Sequence, residues 1–261
     1  MSDPSASDVR PVVLVTGVGR RVGIGAAIAD RLADSGWDVA TTSWAGYDER
    51  MPWGRQDEDP AAIAAGLREL GARTTSVPAD LTDPAAPGAV FDAVEAELGV
   101  VTALVMCHCE GVDSGLLDST VESFDRHYVV NLRASWLLIK EYAERLSASG
   151  GPDGRGRVIA LTSDAVVGNL PYGATKGALD RLVIAAAREL ADLHVSANVV
   201  NPGPVDTGWM TQQVRDAVLA ATPLDRPGTA YDTAALVGFL CSPEGGWVNG
   251  QLLCCDGGLH A

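Results

Sequence analysis

P-V-V-L-V-T-G-V-G-R-R-V-G-I-G, running from Pro11 to Gly25, joins a β-branched apolar run to a turn crowded with glycine. From Ile24 the apolar residues Ala27, Ile28, Leu32 and Ala33 recur at helical spacing until Gly36 stops the pattern. A strand, a glycine turn and a helix in that order form a pyrophosphate-binding context. Backbone N–H groups of the turn and the helix N-terminus point at the anion, and glycine lets the backbone approach it. Thr16, Gly17, Gly19, Gly23, Ile24 and Gly25 are therefore candidate ligand-binding positions.

Beyond Gly36 the same alternation continues. Asp38–Ser43 and Arg73–Val77 read as strands, with a helix over Pro60–Leu70 between them, and a helix over Ala85–Leu98 precedes a strand over Val101–Cys107. Helical patterns over Val121–Ser147 and from Tyr172 flank a strand at Val158–Leu161, and strands at Val195–Val200 and Gln251–Cys255 flank a helix over Thr229–Leu240. Strands alternating with long helices, without tandem hairpins, predict a doubly wound parallel α/β sheet of about seven strands. No linker or repeat divides the chain. It reads as one domain over residues 11–261 behind a flexible tail at 1–10, with a small mobile lid at about 206–222. The apolar final strand is expected to be buried on both faces.

The second strand ends T-T-S-W, with no carboxylate before Asp48. Sites that prefer an unphosphorylated dinucleotide place an acid there for the ribose 2′-hydroxyl. Arg20 and Arg21 can instead meet a 2′-phosphate, with Thr42 or Ser43 donating a hydroxyl, so NADP is favoured over NAD. Asp80 and Leu81 follow the third strand, where a side chain reaches an adenine; Asp80 serves equally well as a helix N-cap. The connection over residues 47–60 has no assigned role.

The chemistry points to S-D-A-V-V-G-N-L-P-Y-G-A-T-K, Ser163 to Lys176. Tyr172 and Lys176 lie one turn apart on one helix face. A phenol titrates near pH 10, and a neighbouring ammonium favours the phenolate and draws that value down toward the working range. A serine hydroxyl beside them can hold a carbonyl oxygen while the tyrosine exchanges its proton. Asp164 and Asn169 in this loop, with Trp209 and Met210 in the lid, are candidate substrate contacts. Pro202 and Pro204 around Gly203 make a rigid turn that lets Val205 and Thr207 address a flat ring.

The 261 residues are 47% hydrophobic and 20% charged, with a net charge of -15. That balance excludes a polyanionic partner such as nucleic acid or an anionic membrane. A polar, acidic amino terminus without a targeting pattern implies a soluble, cytoplasmic protein. Five cysteines in a chain of this size are not a disulfide framework. Along a strand Cys107 and Cys109 face away from His108, and Cys254 and Cys255 sit in an apolar run. All four read as buried strand thiols, and no metal site is expected.

In order, the motifs are T-G-x5-G-I-G at Thr16, Asp80-Leu81, V-N-L at Asn131, Ser163, Y-x-x-x-K at Tyr172, N-P-G-P-V-x-T at Asn201 and N-G-Q-x-L-x-x-D-G-G at Asn249. Over nearly its whole length the chain resembles the short-chain dehydrogenase/reductase family, and in particular its 3-oxoacyl-reductase-like members. The resemblance implies a Rossmann-type fold, hydride transfer between NAD(P) and a carbonyl or secondary alcohol, and a homotetramer or dimer. It also implies roles: Tyr172 as acid/base, Ser163 as carbonyl holder, Lys176 as the partner that binds the ribose, and Asn131 as holder of a relay water.

Three departures stand out. The glycine loop is two residues longer than the family's usual one, a spacing similar to that of divergent enoyl reductases. M-C-H-C-E replaces the family's N-N-A-G. Only eight residues separate Ser163 from Tyr172, so either the loop is clipped and the pocket more open, or Thr162 or Asp164 shares the task of Ser163. Reduction of a C=C bond, and a non-catalytic NADP-binding sensor or scaffold, are the competing readings.

Overall fold

Valine, isoleucine, alanine and threonine crowd the runs that become strands, and the near-continuous burial of the central strands builds one sheet covered on both faces. The computed structural model describes residues 10–150 and 156–260. The first half comprises β1 (Val12–Thr16), α1 (Ile24–Asp34), β2 (Asp38–Ser43), α2 (Ala45–Asp48), α3 (Asp59–Glu69), β3 (Thr74–Pro78), α4 (Ala86–Leu98) and β4 (Val101–Met106). Then follow α5 (Val121–His127), a π-helical turn (Tyr128–Arg133), α6 (Ala134–Ala148), β5 (Gly156–Leu161), α7 (Leu170–Glu189) and β6 (Val195–Asn201). α8 (Gln212–Ala221), α9 (Ala230–Cys241) and β7 (Leu252–Cys254) complete the chain.

The seven strands are ordered β3-β2-β1-β4-β5-β6-β7, and every pair is parallel. Along β1, Val12 and Leu14 enter one core with Phe91, Leu138, Tyr142 and Leu179, while Val13 and Val15 enter the other with Ile28, Leu32, Leu67 and Val237. Each large side chain so buried contributes about 1.5–3 kcal/mol. The strand order reverses between β1 and β4, which are neighbours, and a crevice opens at the carboxyl ends of such a pair.

Four expectations need correction. The helix foreseen over Val121–Ser147 is broken by the π-helical turn, which buries Asn131 inside the protein. β4 ends at Met106, so Cys107 to Cys109 lie past the strand and strand alternation does not govern them. β7 is a three-residue edge strand with Leu252 and Cys254 exposed, because it has only β6 beside it. Arg10 is not tail: its guanidinium donates to Gly71 O (2.6 Å), Ala33 O (2.7 Å) and Trp37 O (3.1 Å). The rest of the expected tail, residues 1–9, lies outside the described residues. The expected lid contains α8, none of whose residues is buried. Among the described residues, no helix is long and apolar enough to cross a membrane.

Candidate active site

A cleft of about 280 Å³ opens at the carboxyl ends of β1 and β4. Gly17, Gly19, Gly23 and Gly25 form its floor. Gly17 has φ +72°, and a Cβ there would lie 2.6 Å from the His108 amide nitrogen, so only glycine fits. Gly23 caps α1 without a side-chain hydrogen bond, and the first turn of α1 carries no acidic residue. Its leading N–H groups are thus suited to a phosphate. This cradle fits the pyrophosphate of a dinucleotide. Arg20, Ser43, Asp80, Leu81, Pro202 and Thr207 line the same cleft.

Tyr172 and Lys176 stand at its other end. Pro171 sits in the first turn of α7, where its missing N–H costs no hydrogen bond. Lys176 is 2% exposed, and its Nζ donates to Leu161 O at 2.7 Å, lying 5.5 Å from the centroid of the Tyr172 ring. Burial pushes the Lys176 ammonium below its ordinary pKa, against the opposing pull of Cys109, Cys107 and Asp180. Burial likewise pushes the Tyr172 phenol up, with Cys109 adding to the effect and a hydrogen bond from Ser163 opposing it. A lowered tyrosine was expected. The difference is physical: the ammonium is directed at a backbone carbonyl, and desolvation of the phenolate outweighs it.

Asn131 is bonded to protein at both ends of its amide. Its Oδ1 accepts from Glu110 N at 2.7 Å, while its Nδ2 donates to Glu110 O at 2.9 Å and to Thr175 Oγ1 at 3.0 Å. It therefore ties the loop after β4 to α7. Asn169, at the N-cap of α7, keeps its Oδ1 buried without a partner among the described residues.

The loop after β4 turns inward. Cys107, His108, Cys109 and Glu110 all line the cleft, in place of the buried strand thiols expected. Burial pushes the Cys107 thiol up to about 12. It also pushes His108 down to about 3, so this imidazole is neutral at pH 7. His108 Nδ1 lies 2.7 Å from the Thr16 hydroxyl and Nε2 lies 3.3 Å from that of Ser135.

Trp44, just past the end of β2, and the connection without an assigned role supply the remaining wall. Trp44, Tyr47, Asp48 and Trp53 line the cleft, and Arg50 makes a bidentate pair with buried Glu110 at 2.9 and 2.8 Å. The Tyr47 hydroxyl donates to Gly111 O at 3.3 Å, and Trp53 Nε1 donates to Asp48 Oδ1 at 2.8 Å. Arg20 stacks over Trp53 at 4.5 Å and donates to Thr207 O at 2.8 Å. The only hint of this wall in the sequence is the density of aromatic residues in W-A-G-Y-D-E-R-M-P-W, Trp44 to Trp53.

Several candidates stand outside the cleft lining. Thr16 is fully buried beneath it, its hydroxyl accepting from Cys107 N at 3.2 Å. Arg21 is exposed and stands outside the lining, with its backbone N–H bonded to Asp59 and its charge beside Asp30, whereas Arg20 lines the cleft. Gly203 and Val205 are not among the lining residues: a Cβ on Gly203 would meet Asp256 at 2.6 Å, and buried Val205 bridges to Gly228. Met210 is 6% exposed, a packing anchor, while exposed Trp209 is held by its Nε1 donating to Val205 O at 2.8 Å. Asp164 is outside as well; its Oδ1 accepts from Asn201 Nδ2 at 3.1 Å.

Known proteins are similar to this chain in sequence and in fold. A family model described as enoyl-(acyl carrier protein) reductase matches residues 17–260. An uncharacterized oxidoreductase of Bacillus subtilis, YjdA, is 32% identical over 95% of this chain and 96% of its own length. An NADPH-dependent aldehyde reductase-like protein of Arabidopsis thaliana, chloroplastic, is 32% identical over 99% of this chain and 97% of its own. Among solved structures, a short chain dehydrogenase from Burkholderia cenocepacia in complex with NADP superposes with a TM-score of 0.85, at 34% identity, over 97% of this chain and 99% of that one.

Proposed function

The chain belongs to the short-chain dehydrogenase/reductase family of oxidoreductases, and we propose that it reduces a carbonyl group, or in reverse oxidises a secondary alcohol, with NADP(H). The observation that carries this reading is the single cleft that joins the glycine cradle to Tyr172 and Lys176, with the Ser163 hydroxyl close enough to the phenol to act on its titration. NADPH, when bound, supplies the hydride. The chain's own part is to hold the substrate oxygen and move a proton to it. The Ser163 hydroxyl donates to the carbonyl oxygen. Tyr172, protonated because burial raises its pKa, gives that oxygen its proton as the alkoxide develops. Lys176 supplies a positive charge beside the phenolate left behind. The unpartnered Asn169 Oδ1 is available to a substrate hydroxyl or N–H donor.

Three observations support NADP over NAD. β2 ends without a carboxylate; Asp48 Oδ1 is engaged by Trp53; and Arg20 lies in the cleft with Ser43. Both the Arabidopsis relative and the Burkholderia structure carry this cofactor in their names. A second reading, reduction of a C=C bond, is favoured by the long glycine loop and by the description of the matched family, while the Y-x-x-x-K spacing opposes it. Turnover of NADPH against a panel of aldehydes, ketones, 3-oxoacyl thioesters and enoyl thioesters separates the two. Tyr172→Phe should lower kcat by at least about a hundredfold while NADPH still binds; full activity in this variant ends the proposal.

A further inference from the structure

On the far side of the Ser163 loop, β7 and the residues after it form a second cluster of chemically active groups. The Cys254 thiol, the Asp256 carboxylate and the His260 imidazole lie within 4.8 Å of one another. The turn after β7 is wound to make this possible. Gly258 N donates to Asp256 Oδ1 at 3.0 Å, and Gly257 and Gly258 take φ of +68° and +88°. His260 is thereby folded back so that Nδ1 faces Asp256 Oδ2, while Nε2 faces Asp164 Oδ2 across from the Ser163 loop.

We propose that Cys254, Asp256 and His260 bind a divalent transition cation, zinc by preference, with Asp164 orienting the imidazole from behind. A thiolate, an imidazole and a carboxylate suit zinc and exclude magnesium or calcium, which take oxygen ligands. Three protein ligands leave the fourth tetrahedral position to water. A metal-bound histidine characteristically donates its other ring N–H to a carboxylate, and Asp164 stands there. The Asp256 carboxylate lies beside the thiol, and Asp164 lies on the other side of the imidazole. Burial first, and then Asp256 and Asp164, push the Cys254 thiol up, and a bound cation reverses that.

The expectation of no metal rested on strand alternation at Cys107–Cys109 and on the apolar run around Cys254, and it left out the turn that folds His260 back onto Asp256. The consequence of binding is a tether. A bound ion fixes His260 within the carboxy-terminal turn, which packs on Gly203, and through the contact of His260 with Asp164 ties that turn to the loop that begins at Ser163, and so stiffens one rim of the candidate active site. The metal itself touches no reacting atom.

The test uses the intact protein, freed of metal by chelation and titrated with Co2+ alone. A stoichiometric thiolate-to-cobalt charge-transfer band is expected, displaced by Zn2+, and either metal should raise Tm. Cys254→Ser abolishes the band and Cys255→Ser keeps it. His260→Ala and Asp164→Asn each weaken Co2+ binding by about tenfold or more. Binding also weakens as pH falls, since thiol and imidazole must lose protons. Absence of the band, or its persistence in Cys254→Ser, overturns the proposal and leaves His260 as an imidazole held between two carboxylates. Activity is not the readout, so the result is independent of the proposed oxidoreductase reaction.

Discussion

His108 is buried between the Thr16 and Ser135 hydroxyls, and its pKa falls from 6.5 to about 3. A histidine with a depressed folded pKa binds its proton only in the unfolded chain between those two values. Stability is therefore fully present above pH 6.5 and is lost as pH falls toward 3, by about 1.4 kcal/mol per pH unit from this group. His108→Gln keeps a polar side chain without the titration. Urea unfolding across that range should show a shallower loss for the variant, and an unchanged slope would exclude His108 as the source. Arg20 poses a different question at the same scale. If its guanidinium meets the 2′-phosphate, Arg20→Ala raises KM for NADPH by about tenfold or more and leaves that for NADH nearly untouched. An equal effect on both cofactors would mean that Arg20 serves the pyrophosphate or packs on Trp53.

Among the elements, the connection between β2 and α3 and the loop after β4 behave as one wall because Arg50 grips buried Glu110 with two hydrogen bonds. The same Glu110 is held through its backbone by Asn131, so the wall continues into the π-helical turn and α7. Removing only the cation strands a carboxylate that is 2% exposed, whereas removing both partners does not. Arg50→Met is expected to cost about 2 kcal/mol in denaturant unfolding, and Arg50→Met with Glu110→Leu to recover most of it. Equal losses in the single and double variants would remove the pair from the account. The π-helical turn matters for the same reason: a regular helix would carry Asn131 to a different position relative to Glu110 and Thr175.

Across the whole molecule, a net charge of -15 makes the folded state repel itself, and salt screens that repulsion. Tm should rise between low and high NaCl concentration; a falling Tm would show that local ion pairs such as Arg50–Glu110 outweigh the global field. At this scale the chain was legible in outline. The strand–glycine–helix opening, the alternation that follows and the one-turn spacing of Tyr172 and Lys176 are local patterns, and local patterns survive in a linear reading. Helix ends and strand ends fell within a few residues of their expected positions for the same reason.

Other features were out of reach. The wall that joins Trp44 to Trp53 with Glu110, the burial of Asn131, the packing of Gly203 on Asp256 and the meeting of Asp164 with His260 all join segments distant along the chain. Which of them touch depends on strand order and on where each strand stops, since one residue past the end of β4 separates a buried thiol from a cleft wall. By itself, then, the amino-acid order determined the alternating α/β architecture, the glycine turn between β1 and α1 and the tyrosine–lysine pair, because each rests on backbone periodicity or on residues a few positions apart. The tertiary structure alone decided the net pKa of that tyrosine, the makeup of the cleft wall and the clustering around His260, because burial and charge proximity are properties of space and not of spacing.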